Sequence, residues 1–100
     1  MTGEKLGVVA RFAVKHDSIE AFKELAMRPM VEPTQGEPGC IRYELWQGEA
    51  EPGRFAMVEE WESGEALAKH LSLESLQSAV RELVPMGAEP IAMQRFRKVS

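Results

Sequence analysis

The sequence predicts an α+β fold: a four-stranded sheet with helices on one face, in the order strand, helix, strand, strand, helices, strand. Two observations predict it. The runs CIRYELWQ (40–47) and RFAMVEEW (54–61) are β-branched and aromatic, and GEAEPG between them is turn chemistry, which reads as a β-hairpin. Before and after that hairpin the apolar spacing changes from the alternation of a strand to the three-or-four spacing of a helix.

Each element has its own signal. In LGVVARFAV (6–14) Leu6, Val8, Ala10, Phe12 and Val14 alternate with Gly7, Val9, Arg11 and Ala13. Both sets are largely apolar, as in a strand covered on both faces. In HDSIEAFKELAMRPMVE, Asp17 can cap with Glu20 three residues on, and Ile19, Phe22, Ala26 and Met30 recur at helical spacing. Pro29 removes a backbone donor and crowds the carbonyl of Leu25, so a kink or a broken last turn is expected there, with PTQGEPG ending the helix. After the hairpin, Ser63 can cap a short helix running to about Leu71. Ser72 can cap a second, carrying Leu73, Leu76, Val80, Leu83 and Val84 and ending near Pro85 or Gly87. PIAMQRFRKV is the fourth strand, with Ile91 and Met93 on one face and Ala92 and Phe96 on the other.

This order is that of a ferredoxin-like βαββαβ sandwich, in which right-handed crossovers place the helices on one face of the sheet. The opposite face still carries apolar side chains, and a face-to-face homodimer is its natural cover. The 100 residues, 44% hydrophobic and 28% charged, suit one domain spanning 1–100, small enough to gain from burying surface against another subunit. A net charge of −4 without a Lys/Arg cluster argues against nucleic acid or an anionic membrane surface as partner. A single cysteine, Cys40, makes no internal disulfide and reads as a small buried apolar residue. The N-terminal stretch MTGEKLGVVARF lacks secretory-signal features and no run reaches membrane-spanning length, so a cytoplasmic protein is expected. There is no Gly-rich phosphate loop and no Cys/His or carboxylate set at ligand spacing, so neither a nucleotide nor a metal site is expected.

The candidate site residues lie around EEWESGEALAKH (59–70). On a helix from Gly64, Ala66, Leu67, His70 and Leu71 share a face, which turns His70 towards the sheet. An imidazole titrates near pH ~6.5 when unperturbed, so a neutral His70 can accept a phenolic proton; alternatively it is a half-buried histidine bonded to a backbone carbonyl or to Glu59. Strand alternation sets Phe55, Met57, Glu59 and Trp61 on one face. Glu59 among apolar neighbours needs a partner or a raised pKa, with Arg11, Arg42, Arg95 or His70 in reach, and serves either in the chemistry or as a buried ion pair fixing register. Trp61 and Tyr43 offer ring surfaces with polar tips, for core packing or for a ligand. Arg42 either steadies an oxyanion or pairs with Glu44.

EPGCIRYELWQ followed by RFAMVEEWES and EALAKHL resembles the antibiotic biosynthesis monooxygenase family of dimeric α+β barrel proteins, through Gly39, Cys40, Tyr43, Phe55, Glu59, Trp61 and His70. The resemblance implies a homodimeric barrel and a monooxygenase that needs no cofactor, acting with dioxygen on a quinol, polyphenol or similar small aromatic. His70 and Glu59 would be catalytic, with Trp61, Tyr43, Phe55 and Arg42 holding the substrate in a hollow beneath the helices. Two alternatives on the same scaffold are a small-molecule isomerase and a non-enzymatic dimeric ligand-binding protein. Two departures stand out. Ser75 occupies the place of a second family histidine, and Val80 the place of the haem-ligating histidine of the haem-degrading branch.

Overall fold

The computed structural model describes residues 4–100; the first three residues of the N-terminal stretch lie outside it. The elements run β1 (Leu6–Ala13), α1 (Ile19–Ala26), α2 (Glu32–Gln35), β2 (Cys40–Gln47), β3 (Arg54–Trp61), α3 (Gly64–Leu71), α4 (Glu74–Leu83) and β4 (Ala92–Arg97). The sheet order is β2-β3-β1-β4 with every neighbouring pair antiparallel, which is the ferredoxin-like arrangement. The two hairpin strands keep their expected bounds. No described helix is long and apolar enough to cross a membrane.

Alternation sends Val8, Ala10 and Phe12 of β1, Tyr43 of β2 and Phe55, Met57, Glu59 and Trp61 of β3 to the helix side, where all are buried. Phe22, Ala26, Met30 and Val31, then Leu67, then Leu76, Ala79 and Leu83 close over them. This one contiguous apolar cluster supplies the main driving force for folding.

At Pro29 the expected disruption takes the form of a π turn over Met27–Val31, which absorbs the missing donor and keeps Met30 and Val31 inside. The helix resumes as α2, with Pro33 in its first turn, where a proline N–H is not needed, and stops at Gln35. Asp17 caps nothing; a 3-10 turn over His16–Ser18 leads into α1, and no side chain caps it. Ser63 caps α3 by accepting from the Ala66 N–H at 3.2 Å, whereas Ser72 turns back to donate to the Lys69 carbonyl and α4 begins without a side-chain cap. Because α4 starts at Glu74, its inward stripe is Leu76, Ala79 and Leu83, leaving Leu73 and Val84 exposed.

The other side of the sheet is bare. Val9 and Val58 are half-buried, while Arg11, Trp46 and Phe96 are exposed, with Trp46 at 59%. One chain thus covers β1 on a single face, not on both as its sequence suggests. All six residues of β4 are exposed, Met93 among them although its register partner Ala10 is buried, so this edge strand adds nothing to the buried cluster.

Candidate functional site

Four of the six expected site residues converge where β2, β3 and α3 meet. Glu59 lies opposite Tyr43 in the hairpin register, and two residues on Trp61 shares its face. The Ser63 cap sets the start of α3, and His70, one turn beyond Leu67, comes round to the sheet and is only 2% exposed. Its ring packs at a tilt on Trp61, with centroids 4.7 Å apart, and edge-on to Tyr43 at 5.4 Å. The Trp61 Nε1–H donates to Glu59 Oε1 at 3.0 Å, so the carboxylate's partner is the indole and not His70 or an arginine.

The partner of His70 is Glu37, which sequence reasoning missed. Its Oε1 lies 2.9 Å from His70 Nδ1. Glu37 sits in a Gly-Glu-Pro-Gly turn, and nothing in such a turn announces that its acid points inward. The only trace is Gly39. Its φ of +84° is the left-handed region, and a Cβ there would stand 2.5 Å from the Ala66 Cβ, so glycine alone lets this turn lie flat on α3. The Glu62 N–H donates to the Gly39 carbonyl at 2.8 Å and the Cys40 N–H to the Glu37 carbonyl at 3.1 Å, holding the turn down.

Burial governs the electrostatics. It pushes the Glu59 carboxyl up to about 7, against the lowering effect of the Trp61 N–H and with a further upward push from the Glu37 charge. The Tyr43 phenol is driven well above its ordinary value by burial and by the negative charges of Glu59 and Glu37, so it acts as a hydrogen-bond donor and not as a base. Burial and Glu37 also raise the thiol of the half-buried Cys40, which keeps it protonated and unreactive.

Phe55 and Arg42 are not part of this group. Phe55 packs on Phe22 with centroids at 4.7 Å, and it pairs with Phe12 while Trp61 pairs with Leu6. That register sets the two ends roughly 20 Å apart along the strand. Arg42 lies beyond the β-bulge at Cys40/Arg42 on the bare face, exposed, with its Nε 3.4 Å from Glu44. His16 and Ser75 are also exposed. The described residues contain no group of three or more His, Cys, Asp or Glu side chains placed to hold a metal ion.

The expected hollow beneath the helices is not at His70. Among the described residues, none of the best-formed recesses is lined by His70, Trp61 or Tyr43. Mutual packing of the three rings and the Glu37 turn fills the space. Glu59 borders a recess of about 280 Å³ shared with Gly7, Val58 and Phe96.

A ferredoxin-like sandwich with a bare sheet face and a buried acid–imidazole–aromatic cluster defines the class of protein. The chain belongs to the antibiotic biosynthesis monooxygenase family, whose profile matches residues 6–82 and so contains the whole cluster. A conserved protein of Methanosarcina mazei superposes with a TM-score of 0.91 at 26% identity, covering 96% of this chain and 94% of that one. A Nitrosomonas europaea protein, described as a candidate antibiotic biosynthesis monooxygenase, superposes at 0.90 with 24% identity over 99% of this chain and 94% of its own, a likeness of fold alone. An uncharacterized protein of Synechocystis is 29% identical over 90 residues, which is 90% of this chain but only 60% of that relative's length.

Proposed function

We propose that the protein is a monooxygenase acting on a quinol, polyphenol or similar small aromatic, without a bound cofactor, and as a homodimer joined through its bare sheet faces. The carrying observation is the 2.9 Å bond between Glu37 and His70, set between the rings of Tyr43 and Trp61. A carboxylate accepting from Nδ1–H fixes the tautomer and leaves Nε2 with the lone pair that takes a phenolic proton. Glu37 is then a positioning residue and His70 the base. The neutral Tyr43 hydroxyl donates to the phenolate as charge builds, and the indole-bound Glu59 sets the field around it. The deprotonated ring reduces dioxygen itself: a hydroquinone and one dioxygen give a hydroxylated quinone and water, one oxygen atom going to each product.

His70 is buried, so substrate has to enter past the side chains around it. The recess between the Gly36–Gly39 turn and α3, lined by Pro38, Gly39, Ala66, Lys69 and Ser72, lies on the same helix as His70 and is the proposed approach. Oxygen uptake with benzo- and naphthohydroquinones tests the proposal. Uptake should fall at least about tenfold in His70→Ala. Uptake equal in wild type and His70→Ala would refute the assignment. The sealed ring also favours a second reading, a dimeric ligand-binding protein without turnover, in which His70→Ala leaves ligand affinity intact.

A further inference from the structure

One buried polar side chain has no part in the function proposed above. Thr34 of α2 is 2% exposed, as deep in the core as His70. It stands one helical turn beyond Met30 and Val31, which the π turn keeps inside, and so it falls on the same inward stripe. A valine has nearly the same shape and would suit that stripe without burying a hydroxyl, which is costly unless the hydroxyl finds a partner. Among the described residues no buried side-chain nitrogen or oxygen lacks one.

The partner of Thr34 is Tyr43. The two hydroxyls hydrogen-bond, and the bond works against the upward push that burial and the Glu59 and Glu37 charges give the phenol. A hydroxyl donating to the phenol oxygen has that effect, because it steadies the phenolate. The neighbouring residue fastens the backbone of the same tyrosine: Gln35 Nε2 donates to the Tyr43 carbonyl at 3.0 Å. Two residues further on, Glu37 bonds His70. One short stretch, 34–37, thus holds both the phenol and the imidazole.

The direction of the Thr34–Tyr43 bond decides what it does. A phenol has one proton to give, and a Tyr43 that donates it to Thr34 has none left for a substrate. A Thr34 that donates to the phenol oxygen leaves the Tyr43 O–H free and turns it away from the incoming hydrogen. We infer that Thr34 is a positioning residue, donating to the Tyr43 oxygen so that the Tyr43 O–H stays free to meet the phenolate. Its effect on turnover rests on the function proposed above; the bond itself does not.

Tyr43 is the one tyrosine of the chain, so the Raman Fermi doublet of tyrosine reports on it alone. The intensity ratio of that doublet rises when the phenol oxygen accepts a hydrogen bond and falls when the O–H donates one. Wild type should read as an acceptor, Thr34→Ser should match it, and Thr34→Val should lose that reading. In oxygen uptake Thr34→Val should lower kcat about three- to tenfold with KM changed less than about twofold, and Thr34→Ser should restore most of it. In a Tyr43→Phe background the same Thr34→Val step should change kcat by less than about twofold. A donor reading in wild type, a doublet unchanged in Thr34→Val, or a kcat loss of equal size without Tyr43 would each overturn the inference. If wild type takes up no oxygen, the proposed function falls while the doublet still decides the bond. Circular dichroism checks folding, and Thr34→Ala takes the place of Thr34→Val should that variant not fold.

Discussion

Glu37 and His70 stand 33 positions apart in the chain, yet their side chains meet at 2.9 Å inside the protein. One comes from a four-residue turn and the other from a helix, and the bond clamps that turn onto α3 over two aromatic rings. Glu37→Ala leaves a buried imidazole N–H without an acceptor, which costs about 1–3 kcal/mol in urea unfolding. It should also cut oxygen uptake by roughly ten- to a hundredfold. Glu37→Gln keeps an acceptor oxygen and should recover most of the stability with less of the uptake.

Stability should depend on pH through Glu59. Its folded-state carboxyl is raised from 4.5 to about 7, so between those values the folded chain binds more protons than the unfolded one and stability falls as pH rises. Glu59→Gln removes that term while its amide oxygen still accepts from Trp61. In urea unfolding, the stability of Glu59→Gln relative to wild type should grow by about 2–3 kcal/mol between pH 4.5 and 8.5. A constant difference across that range would contradict it.

Gly39→Ala should destabilise through two separable causes. The left-handed backbone costs about 1–2 kcal/mol for an alanine, and the 2.5 Å approach to the Ala66 Cβ adds to it. Adding Ala66→Gly removes the clash and not the backbone cost, so the double variant should recover part of the loss. Chemical denaturation of the three proteins reads both contributions.

Val58→Arg places a charge at the middle of the bare sheet face, where Val9 is its register partner. If two copies meet there, the variant should scatter light as a single chain at concentrations where wild type is a dimer, with unchanged circular dichroism. Equal masses for both proteins would remove the sheet face as the joining surface.

The sequence by itself determined the elements whose signals are local. The hairpin bounds follow from β-branched and aromatic runs around GEAEPG, the cap of α3 from Ser63, and the convergence of Tyr43, Glu59, Trp61 and His70 from strand alternation and helical spacing. Tertiary structure decided what depends on distance through space. It carried the helix past Pro29 through a π turn in which Met30 and Val31 stay buried, left Met93 exposed on the edge strand, and brought Glu37 to His70. It also kept Phe55 from the cluster, since six residues of extended strand are too long to span. Spacing along a chain sets which way a side chain faces, while its partner is set by where other elements pack, and that is a property of the whole core.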